Sequence, residues 1–427
     1  MTFEWSGAAT RTGWVWMALL GLVAAPFPLW FVAPHVPAGF PVIERGVPIF
    51  FLLLAAGVLV LVRIASVSWP FAALLLWATL RGAWHGFPPR TLQLLTLGLF
   101  AGLLYAAARH EVSDRWARWA VWGLTAGVLY EVGLGWLNTM GFYPWMSWVA
   151  AEHVGKPMGL LTHPNYWGSI VALGLPIVWA TLGAPVAALL FVLIGRTISG
   201  GPVISASVGI LVLLWPMIGR RVRYAVVGLA GAAVAVVMTL HEWRLSGRRE
   251  VWEVALTEMR KWPITGQGLG EWRTWAEQYN GLYYRPDQGQ HFFITLQAHN
   301  EPLQLAFELG LVGLVLGGLW ALQAWMAART VWRAAPVLFV PAPTCRFGWL
   351  MSYRVPLERA WIAVLVVAGV NMLGSPVFHL PAQAACILFA AARLQADAAA
   401  LSVPHRRSAP AKRPRARKES LYVADPS

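Results

Sequence analysis

The residues best suited to chemistry gather in one stretch of this chain. After Tyr283, Tyr284 and Arg285 comes His291, and then Gln297-Ala298-His299-Asn300-Glu301-Pro302. His299 falls within a turn of an apolar helix that opens Leu303-Gln304-Leu305-Ala306-Phe307-Glu308-Leu309-Gly310. Asn300 can cap that helix, and Pro302 suits its first turn. Two readings of His299 stand side by side: a capping or interfacial histidine, or a titratable base at a helix start that faces a polar loop. Histidine is the side chain best suited to general-base work near neutral pH. Upstream, Gly266-Gln267-Gly268-Leu269-Gly270 follows Trp262-Pro263. Such a run either turns the chain or offers backbone amides to phosphate. With no strand before it and no GK[ST] after it, the turn is the plainer reading. Cys345 and Cys386 have no CxxC neighbour and no His at zinc spacing, which leaves at most one disulfide and no zinc module.

The elements that must hold these residues are membrane helices. Of 427 residues, 58% are hydrophobic and 12% charged, and the mean hydropathy is +0.57. Soluble domains run at about 45–50% apolar and about 25% charged, so a soluble multidomain protein is excluded. Disorder is excluded too, outside the C-terminus. Apolar runs predict about twelve spans, near 12–32, 47–63, 67–81, 91–108, 116–137, 163–182, 184–197, 202–218, 222–240, 302–326, 360–374 and 377–394. The fold class expected is an all-α polytopic membrane protein: helices 1–9 in residues 1–240, a polar loop at 241–301, helices 10–12 in 302–400 and a tail at 401–427. The first run is too long for a signal-peptide core and holds Pro26 and Pro28 where a cleavage site belongs. The 26 Trp, many near span ends (Trp14, Trp30, Trp69, Trp84, Trp116, Trp148, Trp243), fit interfacial anchoring. Glu131, inside a span, is either functional or paired with an Arg of the bundle.

The charges orient these spans. With the N-terminus inside, the cytoplasmic connections carry Arg63, then Arg109, Arg115 and Arg118, then Arg220, Arg221 and Arg223, then Arg329, Arg333, Arg346, Arg354 and Arg359. The tail supplies Arg406, Arg407, Lys412, Arg413, Arg415, Arg417 and Lys418 against Glu419 and Asp425, or 7 − 2 = +5 of the net +14. No base-reading module accompanies it, so it reads as a solvated cytoplasmic tail near anionic lipid and not as a nucleic-acid site. The segment His241–Asn300 holds seven basic and seven acidic residues in 60 and lies on the outer face by this count. Within it, Val251, Trp252, Ala255, Leu256 and Met259 recur at helical spacing, so Arg248–Trp262 reads as an amphipathic helix over the embedded core.

Several blocks taken together resemble the O-antigen ligase and polymerase superfamily. They are Pro164-Asn165 opening a span, the turn near Thr197-Ile198-Ser199, Arg248-xxx-Trp252, Pro263-xx-Gly266-x-Gly268-x-Gly270, and His299-Asn300-xx-Leu303-Gln304-xxx-Glu308-Leu309-Gly310-xx-Gly313. The likeness covers residues 160–320; the remaining spans match by hydropathy alone. It implies a GT-C-like, metal-independent membrane glycosyltransferase without a cofactor. The donor implied is a glycan on undecaprenyl diphosphate, and the acceptor is lipid A-core or another hydroxyl at the periplasmic face of the bacterial inner membrane, with both termini cytoplasmic. By this resemblance His299 is the catalytic histidine and Arg248 the loop arginine that meets diphosphate, with Asn300, Trp252, Gly266, Gly268 and Gly270 in support. The family's Ser-Arg-Gly turn reads Ser199-Gly200-Gly201 here, so its arginine is missing. Arg196, four residues before Gly200, shares a face with it if the segment is helical, and is the candidate substitute.

The residue types suit that chemistry. A diphosphate leaving group needs charge neutralisation, and guanidinium is the planar fork that matches phosphate. A hydroxyl acceptor needs an aligned base, and attack opposite the diphosphate gives inversion. No paired Asp/Glu at metal-like spacing lies on the outer side. Two rivals share the fold: an O-antigen polymerase and a protein O-oligosaccharyltransferase. A third, a lipid-linked glycan transporter, calls for internal repeats and broken midplane helices, and no repeat links the two halves.

Overall fold

The computed structural model describes residues 68–88, 114–143, 153–159, 163–225, 248–272, 298–334, 354–374 and 381–402, with scattered positions between 91 and 109 and also Gly228, Trp275 and Ala276. The expected spans 12–32 and 47–63, most of 222–240, the basic tail, residues 283–285, His291 and Cys345 lie outside the described residues. The described elements are all helical. They are α1 (Trp69–Trp84), α2 (Asp114–Thr139), α3 (Pro164–Leu182), α4 (Ala184–Gly195), α5 (Gly200–Leu214, followed by a 3-10 turn Trp215–Met217), α6 (Arg248–Met259), α7 (Glu301–Ala334), α8 (Leu357–Met372) and α9 (Pro381–Ser402).

Helix α3 lies at the centre. It starts at Pro164, where a missing N–H costs nothing, and its first turn is capped by His163, whose Nδ1 accepts from the Asn165 amide at 3.2 Å. Ile170, Val171, Leu173, Leu175, Ile177 and Val178 are all buried, so the helix is apolar all round, as an interior helix must be. Close approach to its neighbours rests on small residues. Gly174 faces Val128 of α2, Gly168 faces Pro202 of α5, and Gly135 of α2 lies under the Trp167 indole. The pairs 135/167 and 128/174, with the Thr125–Thr181 hydroxyl pair at 3.1 Å, make α2 and α3 antiparallel.

The same reasoning defines the two ends of the bundle. Helix α1 runs against α7, because Phe71 meets Trp320 at 6.0 Å while the Trp77 Nε1–H donates to the Leu309 carbonyl at 2.9 Å. Helix α9 joins the two groups. Gln383 near its start donates to the Tyr166 carbonyl at the head of α3 (3.2 Å). Near its other end, Gln395 accepts from Tyr105, whose ring stacks on Phe71 at 5.8 Å. The head of α3, the C-terminal end of α1 and the N-terminal end of α7 therefore share one end of the molecule, where the sequence puts the outer face.

Among the described residues, three helical segments are long and apolar enough to cross a membrane: Pro164–Leu182, Gly200–Met217 and Glu301–Ala334. Helix α7 exposes Leu311, Val315, Leu322, Trp325 and Met326 along one side. Such a stripe is costly in water and suits lipid. Trp69 and Trp84, exposed at the two ends of α1, stand where interfacial tryptophans belong. The expected span 184–197 is the 12-residue helix α4; at about 1.5 Å per residue it reaches about 18 Å, short of a ~30 Å hydrocarbon core.

Candidate functional site

The strongest local feature at this end is a break in α7. At Gly310 the backbone takes φ 67° and ψ −165°, a conformation open in practice to glycine alone. A broken helix leaves carbonyls and amides without their i→i−4 partners. The segment 263–270 lies across the gap and answers them: Gln267 N–H donates to Phe307 O (2.9 Å) and Gly268 N–H to Glu308 O (2.9 Å). In return Leu311 N–H donates to Pro263 O (2.9 Å) and Val312 N–H to Ile264 O (3.3 Å). The two backbones touch, so a Cβ on Gly266 would overlap the Glu308 carbonyl and one on Gly310 would overlap that of Ile264.

The spacing of the GxGxG run follows from this geometry, since Gly266, Gly268 and Gly270 all take positive φ (71°, 123° and 81°). The amides of Gly266, Gln267 and Gly268 donate within the protein, to Trp262 O, Phe307 O and Glu308 O. They are not open to phosphate; the run is a turn that seals a helix break. Helix α1 clamps the loop from the other side. Arg81 Nη2 donates to Gly266 O at 2.8 Å and to His85 Nε2 at 3.0 Å, while Thr91 donates to Leu269 O at 2.5 Å. Since guanidinium is always the donor, His85 Nε2 accepts and the ring is neutral. Burial, and then the Arg81 charge, hold its pKa below the usual histidine value.

His299 stands eight residues before the first of the α7 carbonyls met by the loop, Phe307 O, at the mouth of α7, with φ 52°. A side chain in the left-handed region costs about 1–2 kcal/mol, so the turn survives only where its surroundings hold it. Asn300 caps the helix as the sequence implies, its Oδ1 accepting from Leu303 N–H at 3.0 Å. On the other flank Ala298 is fully buried. Its carbonyl accepts from Trp252 Nε1 (2.9 Å) and its N–H donates to Gln304 Oε1 (3.0 Å). Trp252 therefore joins α6 to the residue before His299. Arg248 is the first residue of α6, one turn ahead of Trp252. The packing behind this junction is Val251, Ala255, Trp272, Ala298 and Phe307. Leu256, expected on the packed face, is exposed, and Glu258 is buried instead, paired with Lys261 at 2.8 Å.

A second polar group surrounds the head of α3. The rings of His153 and His163 lie 4.8 Å apart and those of His163 and Tyr166 4.9 Å apart. Ser199 donates to Asn165 Oδ1. Glu131, half-buried, sets its carboxylate against Gly159. The helical premise for Arg196 fails here. Helix α4 ends at Gly195, residues 196–198 form a turn with Ile198 at φ 55°, and α5 starts at Gly200. Arg196 is exposed and does not share a helical face with Gly200. Sequence reasoning assigned no role to Trp77, Arg81, His85 or Thr91. The one local signal was a basic pair, Arg81 and His85, at the outer end of a predicted span.

No family model matches the chain, and no curated protein matches it in sequence. The fold defines an all-helical protein with helices fit to cross a membrane. At one end it carries a histidine in the left-handed region at the start of α7, and further along the same helix a break sealed by a loop. Among the described residues no group of three or more His, Cys, Asp or Glu is placed to hold a metal ion.

Proposed function

We propose that this protein is a polytopic inner-membrane glycosyltransferase of about twelve spans. It moves an O-antigen-type glycan from undecaprenyl diphosphate to lipid A-core, with His299 as the base and Arg248 on the diphosphate. The observation that carries the reading is the left-handed, doubly anchored turn at His299. Strain of this kind is kept where a side chain must be held for a task. In this reading His299 accepts the acceptor's proton as its hydroxyl attacks the anomeric carbon, and the glycosidic bond to the diphosphate breaks. The exposed stripe on α7 and the tryptophans at the ends of α1 support a membrane setting. With the Arg196 premise gone, Arg81 at the same end is a described arginine that touches the loop, through Gly266 O.

A deletion strain tests the reading through its lipid A-core and glycan profile. Free core with accumulating lipid-linked polymer is the expected result. Core bearing a single repeat would point to polymerase, and an unchanged profile would remove both. Reporter fusions at Gly281 and Ser420 should give opposite compartment signals; matching signals would put the span count off by one.

A further inference from the structure

Helix α7 needs nothing from Gln304 for its own capping, because Asn300 already supplies the cap. Gln304 is nevertheless buried, and both ends of its amide are engaged. Oε1 accepts from Ala298 N–H at 3.0 Å, and Nε2 donates to Glu308 Oε1 at 3.0 Å. Glu308 is buried one turn further along. An amide can be turned over, and turned over it would set an NH2 against the Ala298 N–H, donor facing donor. What prevents this is an acceptor at the other end, and Glu308 provides it.

We propose that Glu308 and Gln304 are positioning residues for His299. Glu308 fixes the orientation of the Gln304 amide, Gln304 fixes Ala298 from the α7 side, and Trp252 fixes its carbonyl from α6. The imidazole is thereby held at its left-handed turn in register with the acceptor hydroxyl. The inference rests on the reading of His299 as the base. It requires of Glu308 an oxygen acceptor and not a negative charge, which separates it from a direct role for that carboxylate in proton transfer.

The test uses the full chain, purified into nanodiscs, with an undecaprenyl-diphosphate-linked O-antigen glycan and a core lipopolysaccharide lacking O-antigen. Gln304→Leu should lower kcat by about 10- to 100-fold, the scale of a small misplacement, with the KM for donor little changed. Glu308→Leu should do the same, and Glu308→Gln should recover most of the rate, because an amide oxygen still accepts from Gln304. In a His299→Ala background, Gln304→Leu should bring no further loss, since residues that act as a unit are not additive. Hydrogen exchange across residues 297–303 should quicken in Gln304→Leu and return to the wild-type pattern in Glu308→Gln, whatever glycan is used. If Gln304→Leu does not insert, Gln304→Met, an unbranched side chain of similar length with no oxygen for Ala298 and no donor for Glu308, should show the same fall in kcat.

Additive losses in the double variant, or a Glu308→Gln as poor as Glu308→Leu, overturn the relay. So does unchanged exchange in Gln304→Leu. Full activity in His299→Ala removes the base and the relay with it. An inactive His299→Ala beside a wild-type Gln304→Leu removes the relay alone.

Discussion

Replacing Gly310 by Ala should free the 263–270 loop without unfolding the helix. The new Cβ would overlap the Ile264 carbonyl and sit 2.6 Å from Gly266 N, backbone atoms that cannot rotate away. Forcing alanine into the observed φ and ψ costs about 1–3 kcal/mol, and overpacking adds about 1–3 kcal/mol. Release has its own cost. Four crossing hydrogen bonds break, but α7 can close, with Leu311 N–H reaching Phe307 O and Val312 N–H reaching Glu308 O in the ordinary i→i−4 pattern. Two of the four bonds are regained in the closed helix, but a freed loop also loses the Arg81–Gly266 and Thr91–Leu269 bonds, so the net loss is four hydrogen bonds, about 2–6 kcal/mol. At the midpoints roughly 4 kcal/mol stands against roughly 4 kcal/mol, so docked and released forms are of similar population and the loop keeps almost none of its protection. Hydrogen exchange measured by mass spectrometry on peptides covering 263–270 should show the loop unprotected in Gly310→Ala. Gly318 is the control. It is in the same helix, with open space where a Cβ would go, so Gly318→Ala should leave the loop protected and add about 0.5–1 kcal/mol of stability. Wild-type protection of 263–270 in Gly310→Ala would refute the account of the break.

His299→Ala should insert normally and lose about 10²–10⁴-fold in glycan transfer, whereas Asn300→Ala should cost about 1 kcal/mol of stability and little rate. Turnover and thermal unfolding of the purified variants separate the two. Arg248→Lys should recover little activity, because the ammonium lacks the bidentate fork, while Arg249→Ala should be the milder change in the same transfer assay. His85, whose folded pKa lies below its ordinary value near 6.5, binds a proton less readily folded than unfolded. Its contribution to stability is thus fully present above about pH 6.5 and is lost as pH falls through the lowered folded pKa. Unfolding midpoints at pH 7.5 and 5.5 should converge in His85→Gln relative to wild type.

Much of this was legible locally. The run 163–182 became Pro164–Leu182, and the Asn-x-Pro signal placed the start of α7 and its cap. Three features were not legible. Within an apolar run, Gly310 reads as a tolerated helix glycine; what breaks the helix there is a loop from residues 263–270 that supplies the missing partners. The sequence predicts the turn near Thr197-Ile198-Ser199 but not its left-handed residue, since a β-branched residue such as Ile198 is a poor candidate for positive φ. Periodicity placed Leu256 on the buried face of α6, but the packed face runs through Val251, Ala255 and Glu258 and leaves Leu256 outside. The GxGxG run gave its glycines away but not their purpose, which depends on a helix that comes later in the chain.

The sealed break also constrains the order in which the protein is made. Synthesis proceeds from the N-terminus, so α1 and the 263–270 segment are complete before Gly310 leaves the ribosome. Lipid offers no hydrogen bonds to bare backbone groups. A helix interrupted at Gly310 can therefore enter a bilayer without penalty only if Pro263, Ile264, Gln267, Gly268 and Trp77 are already in place to receive it. A gene rearranged so that α7 is translated ahead of these segments would deliver its interrupted helix with no partners waiting, and insertion would favour the straight form that leaves the loop nowhere to dock.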